Sequence, residues 1–198
     1  NFKKKYPEYR SQMKICTLGF IYGMSTGGLA KRLSTTTKKA AALQNRFMDM
    51  FPQISKKLYW SPYAGAIRGY VLAISGLRRN RVRQGEVLSW ERNWMNNYPV
   101  QGSAAVMFKM AGNRLDKLYQ QYKAKIIVPL HDEFVFEAPL DLLEEVSNLT
   151  AKVMCESIQE YFPVLKPKVE INIFHPECWN KEGNVNALDE WIASLTKS

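Results

Sequence analysis

The sequence predicts an α/β protein of the α+β type: helices dominate residues 1–66, and antiparallel hairpins with packed helices follow in 67–198. Three observations carry this expectation. Side chains recur every four residues along 10–22, a helical spacing. Two strand-like runs flank the turn signal Ser75-Gly76, and two more flank His131-Asp132-Glu133. Residues 141–161 carry apolar side chains at helical intervals, as needed to cover a sheet.

Composition bounds the function before any motif does. The 198 residues, 46% of them apolar, suffice for one large domain or two small ones. No apolar run approaches the roughly 18 residues of a membrane span, and N-F-K-K-K-Y-P at the start lacks the apolar region of a signal peptide. Cys16, Cys155 and Cys178 are scattered and odd in number, with two histidines beside them. That set suits neither a disulfide framework nor a zinc site, so a reducing intracellular setting is expected. Asn1 is not a start methionine, and the chain is expected to be a processed or excerpted piece. The charge is segregated: residues 1–100 hold 18 Lys/Arg against 4 Asp/Glu, and 101–198 hold 10 against 14. A cationic half is the footprint of a polyphosphate or nucleic-acid surface, and an acidic half fits beside it if its carboxylates hold divalent cations.

The first helix is expected over residues 7–33. Arg10, Lys14, Leu18 and Tyr22 form one slowly winding stripe on it: two cations, an aliphatic side chain, then a ring beside Gly23. Cations suit phosphates, the Arg fork gripping two oxygens, and the ring offers a flat face to a base. Basic residues at this spacing are also commonly just a solvated face. S-T-T-T at 34–37 reads as a break and N-cap for a helix toward Phe51, with Ala40, Leu43, Phe47 and Met50 on its apolar side. Pro52 opens another, carrying Ile54, Leu58 and Trp60 as ordinary packing. Residues 69–83 form a hairpin about Ser75-Gly76, and Arg78, Arg79, Arg81 and Arg83 after the turn are either solvated or placed for duplex phosphates.

In residues 91–102, Pro99 is expected to stop one helix and Gln101 to open the next, which runs to about Tyr122. Asn97 and Gln101 serve as caps or as minor-groove contacts, where readout is nearly independent of sequence. Residues 125–139 read as strand, polar turn, strand. If Asp132 and Glu133 are buried between the apolar runs, a cation has to neutralise them, and Mg²⁺ is the natural choice beside phosphates. An exposed hairpin tip is the alternative. Asp141-Leu-Leu-Glu144 resembles a capping box for a helix to about Tyr161, with Leu142, Val146, Leu149, Val153 and Ile158 on its apolar side. Residues 169–174 alternate as a final strand, and Trp179 with the tail is structural.

Three of these strings together resemble family A (DNA polymerase I-like) DNA polymerases. Arg10, Lys14, Tyr22 and Gly23 in R-x3-K-x6-I-Y-G, with Met24-Ser25 and Gly28-Leu29-Ala30 after them, are similar to motif B, the fingers helix. Asn97-x-Pro99-x-Gln101-Gly102-Ser103-Ala104-Ala105 is similar to the template–primer contact segment, and His131-Asp132-Glu133 to motif C. A G-Y-V…G-R-R-like element at 69–79 resembles one near the primer–template duplex. Leu18 stands where the family more often has Phe or Tyr, one extra residue separates Arg92 from Asn97, and Pro129-Leu130 replaces Gln-Val.

The resemblance implies a right-hand polymerase fold, with fingers helices over 1–66 and a palm over 67–198. By it, Arg10, Lys14, Leu18 and Tyr22 bind the incoming nucleotide, with Lys14 a proton donor to departing pyrophosphate. Asp132 and Glu133 are catalytic and hold metal, two Mg²⁺ ions in the complete enzyme. Arg79, Arg92, Asn97, Gln101 and His131 contact DNA. The implied partners are a DNA primer–template, deoxynucleoside triphosphates and an upstream segment carrying motif A, a D-Y-S-x-I-E-like string that does not occur here. The chain is therefore expected to be inactive alone, in the cytoplasm of a bacterial or phage-infected cell, and to need no membrane. A fragment of a single-subunit RNA polymerase and a non-catalytic nucleic-acid-binding module are the alternatives.

Overall fold

The computed structural model describes residues 5–174. Cys178, Trp179 and the tail lie outside the described residues. The chain divides into two compact units, Asn1–Ala104 and Ala105–Ser198.

The first unit opens with α1 (Pro7–Ile21), whose proline occupies the first turn, where no backbone N–H is needed. The single helix expected over 7–33 is in fact two. Gly23 takes φ +74°, Met24 N–H donates to Gly19 O at 2.8 Å, and Gly23 N–H donates to Phe20 O. This pair of bonds closes a helix end around a left-handed residue, a conformation glycine adopts without steric cost. The chain restarts as α2 (Thr26–Arg32), with Ser25 Oγ capping Gly28 N–H. The S-T-T-T break stands: Ser34 has φ +49° and Thr36 caps α3 (Thr37–Met50). Cys16 and Phe20 from α1, Leu29 and Ala30 from α2, and Ala40 and Phe47 from α3 form the core, with the Phe20 and Phe47 rings 4.9 Å apart.

Pro52 opens α4 (Pro52–Arg68) as expected. The hairpin also forms, as β1 (Tyr70–Leu72) paired antiparallel to β2 (Arg78–Asn80). Gly65 is what lets these elements approach α5 (Ser89–Tyr119): a Cβ there would meet Val71 Cγ1 at 2.8 Å and Met95 Sδ at 3.1 Å. The hairpin is tied to the same helix by Ile74 N–H donating to Ser103 Oγ.

Pro99 does not stop a helix. It lies inside α5, which is 31 residues long. A proline within a helix strips the carbonyl four residues back of its donor, and here Met95 O accepts instead from Ser61 Oγ at 2.9 Å. Asn96 O accepts from Lys57 Nζ at 2.5 Å. These donors, from α4, lie 34 and 39 residues away in sequence, so the proline is accommodated by tertiary contacts invisible to local reading.

In the second unit β3 (Lys125–Leu130) pairs antiparallel with β4 (Glu133–Glu137), with a register shift between Ile126 and Val128. The sheets are thus two separate two-stranded ribbons among the described residues. A 3₁₀ turn at Leu140–Leu142 precedes α6 (Leu143–Gln159). The expected capping box is absent: Leu142 is the N-cap and no side chain caps the end, because the 3₁₀ turn draws Asp141 out of that position. Val146 and Val153 of α6 pack with Ala111, Leu115 and Tyr119 of α5, and Phe134, Phe136 and Leu149 border this core. Tyr119 is buried, and its hydroxyl pairs with Thr150 Oγ at 2.5 Å. The final strand expected at 169–174 does not form: the segment is irregular, with a lone bridge at the buried Ile173. Alternation alone makes no strand; a ladder of backbone hydrogen bonds to a neighbour is also needed.

Candidate functional site

α1 is two-sided. Cys16, Gly19 and Phe20 are buried, whereas Arg10, Lys14 and Leu18 are exposed and Tyr22 is half-buried. The predicted stripe therefore exists as a surface. Four residues of helix advance about 6 Å, a span matching neighbouring phosphates. Neither the Arg10 nor the Lys14 side chain has a hydrogen-bond or ion-pair partner among the described residues. At the end of the stripe, Gly23 lies so close to Asn93 of α5 that a Cβ would stand 2.5 Å from its side-chain oxygen. A side chain there would displace the exposed Asn93 amide, and the φ of +74° itself favours glycine.

The arginines after the hairpin turn divide into different roles, and one is a correction. Arg81 is not available to phosphates. Its guanidinium grips the fully buried Glu91 through two bonds of 3.0 Å and also donates to the Gly85 carbonyl. The Arg81 hydrogen bond holds the Glu91 carboxyl below its ordinary range, against the opposing effect of burial. Arg79, by contrast, is exposed, with its guanidinium 4.6 Å from the Trp94 ring and 5.9 Å from Tyr98. Stacking fixes the plane while leaving the edge N–H groups free for acceptors. Arg92 and Gln101 are exposed on α5; Asn97 is half-buried and its side-chain oxygen is buried without a hydrogen-bond partner.

The hairpin tip is a two-residue connection, His131-Asp132, between the paired Leu130 and Glu133. His131 takes φ +51°, a left-handed position that histidine tolerates better than most side chains. His131, Asp132 and Glu133 are all exposed, so of the two readings the exposed hairpin tip is the one that holds, and water solvates the carboxylates. The tip is anchored from behind. The Phe134 ring stacks on Phe108 at 4.1 Å and 9° and lies over Gly112, where a Cβ would be 3.2 Å away. Sequence reasoning missed this clamp, although Phe108 and Gly112 stand one helical turn apart.

Two exposed carboxylates offer the hard oxygen donors that Mg²⁺ prefers. They make a partial ligand set. No cluster of three or more His, Cys, Asp or Glu side chains able to hold a metal occurs among the described residues. The tip fits Mg²⁺ on condition that water, phosphate oxygens or a further carboxylate complete the coordination. Also among the described residues, no helix is long and apolar enough to cross a membrane.

Comparison with known proteins supplies the context. The sequence profile of DNA polymerase family A matches residues 1–181. Thermostable DNA polymerase I of Thermus thermophilus is 32% identical over 177 residues, covering 87% of this chain and 21% of that protein. DNA polymerase I of Bacillus subtilis is 32% identical over 154 residues, covering 73% and 17%. The chain thus spans about a fifth of the length of the curated relatives it matches. Among solved structures, the POL domain of Pol1 from M. smegmatis, in complex with DNA primer-template and dNTP, superposes with a TM-score of 0.72 at 26% identity, covering 76% of this chain and 28% of that one.

Proposed function

The chain belongs to DNA polymerase family A, and on that premise we propose that it is the fingers-and-palm portion of a template-directed DNA polymerase, with fingers over 1–66 and palm over 67–198. The supporting observation is the cationic face of α1, where Arg10 and Lys14 stand exposed with no ion-pair partner among the described residues.

In the proposed reaction a primer 3′-hydroxyl attacks the α-phosphate of a deoxynucleoside triphosphate, and pyrophosphate departs. The Arg10 fork and the Lys14 ammonium hold the triphosphate oxygens, and Lys14 gives a proton to the departing pyrophosphate. Leu18 borders the nucleotide, and Tyr22 stacks near the templating base. Arg79 and Arg92 contact duplex phosphates; Asn97 and Gln101 face the minor groove, accepting any correct pair. Asp132 and Glu133 are the residues that would hold Mg²⁺, and His131 contacts the primer terminus. Two such ions, when bound, supply neutralisation of charge at the attacking and leaving oxygens. Catalysis on this reading is mostly positioning and electrostatics.

Two carboxylates hold two ions poorly, and the further acid of motif A is not in these residues. The chain is accordingly inactive alone and works with an upstream segment, on the same or a separate chain, in the cytoplasm of a bacterial or phage-infected cell. Primer extension tests this directly: the chain alone gives no product, and addition of a motif A segment restores it. Efficient extension by the chain alone would refute the need for that segment.

A further inference from the structure

One face of α4 has no use in the reaction above. Tyr59, Trp60, Tyr63 and Ile67 are exposed there by 68, 49, 53 and 70%. The three rings form a continuous edge-to-face array, with centroids 5.4 Å apart for Tyr59–Trp60 and 5.5 Å for Trp60–Tyr63. Open grooves flank the array. One, of about 420 Å³, is lined by Gln53, Lys56, Lys57 and Trp60; the other, of about 270 Å³, runs between Tyr59, Tyr63, Val87 and Arg92. Leaving large rings in water is unfavourable, and such patches mark binding surfaces.

The charge around the rings says what binds. Between Pro52 and Arg68 the helix carries Lys56, Arg68 and a Lys57 whose ammonium donates to Asn96 O, with no carboxylate, and Arg92 adds a cation on the far groove. An apolar protein partner would find this rim poorly matched unless strongly acidic. A strand with stackable faces and one negative charge per unit matches both features, since every base has a π-face and every phosphate a charge.

We propose that this face is a binding site for single-stranded DNA, distinct from the residues assigned to nucleotide and primer except at Arg92, which borders both. Bases stack on Trp60 and Tyr63, and Lys56 and Arg92 meet the backbone on either side. The choice of DNA over RNA rests on the polymerase reading above. Because binding rather than extension is measured, either can fail alone.

The full chain is titrated with a fluorescein-labelled 20-mer of deoxythymidylate by anisotropy, at several salt concentrations, beside a duplex of equal length and the matching ribo-oligomer. Trp60→Ala and Tyr63→Ala should each weaken binding of the single strand roughly tenfold, with unchanged salt slope and little effect on the duplex. Trp60→Phe, which keeps a stacking face, should retain most affinity. Lys56→Ala should lower the salt slope by about one. Equal affinity of wild type, Trp60→Ala and Tyr63→Ala for the single strand overturns the proposal, and self-association of wild type lost in Trp60→Ala would then assign the face to a second copy. Tighter binding of the ribo-oligomer overturns the assignment to DNA.

Discussion

The clamp behind the acidic tip gives a prediction that can be worked from geometry. Phe134→Ala removes a half-buried ring stacked on Phe108 at 4.1 Å. A fully buried Phe→Ala costs about 3–5 kcal/mol, of which stacking contributes about 0.5–1.5 kcal/mol. Half-burial scales the expected loss to about 2 kcal/mol. Gly112→Ala probes the same contact from the other side. In a free helix that change gains about 1 kcal/mol, but a Cβ at 3.2 Å from the Phe134 ring forces the ring to shift. The gain should therefore vanish or reverse in wild type and reappear once Phe134 is Ala. Urea unfolding of the four proteins, followed by circular dichroism, completes the cycle, with an expected coupling of about 1 kcal/mol. If Gly112→Ala changes stability equally in both backgrounds, the ring does not hold the helix as described. In the complete enzyme, Phe134→Ala should also slow extension without weakening DNA binding.

Two more changes test the scaffold. Burial pushes the Tyr119 hydroxyl up to about 12, partly opposed by its Thr150 hydrogen bond. The folded state thus keeps this proton beyond the unfolded value of about 10. Its stabilising contribution is complete below pH 10 and is lost as pH rises toward 12. Tyr119→Phe should flatten that alkaline loss in melting-temperature profiles while costing about 1 kcal/mol at neutral pH; an unchanged alkaline limb would contradict the assignment. Ser61→Ala leaves Met95 O without its donor beside Pro99, with an expected loss of about 1 kcal/mol. In a Pro99→Ala background, where a backbone N–H returns, thermal melts should show a smaller loss.

What local pattern governs was legible in the sequence. The stripe on α1, the Thr36 cap, Pro52 as a helix opener and both hairpins follow from spacing and turn chemistry, and they form where expected. Features set by distant partners were not legible. Pro99 reads as a stop until Ser61 and Lys57 are seen bonded to the carbonyls of Met95 and Asn96. Arg81 reads like its neighbours until Glu91 is found buried under it. Gly23 could have been recognised as the end of α1, since Ser25 after it is a ready N-cap, but the polar and apolar spacing runs on across the break and masked it. The exposure of Asp132 and Glu133 was one of two readings the sequence left open. Apolar flanks suggest burial, yet a two-residue turn projects its side chains into water.

The measurement closest to the central claim is single-turnover primer extension by the complete enzyme carrying Asp132→Ala, with primer–template affinity determined on the same preparation. Extension should fall to background while affinity stays within about twofold of wild type if, as proposed, the tip serves the chemistry and the cations serve the binding. Extension at near wild-type rate from that variant would remove the hairpin from the reaction and leave the chain as a nucleic-acid-binding module.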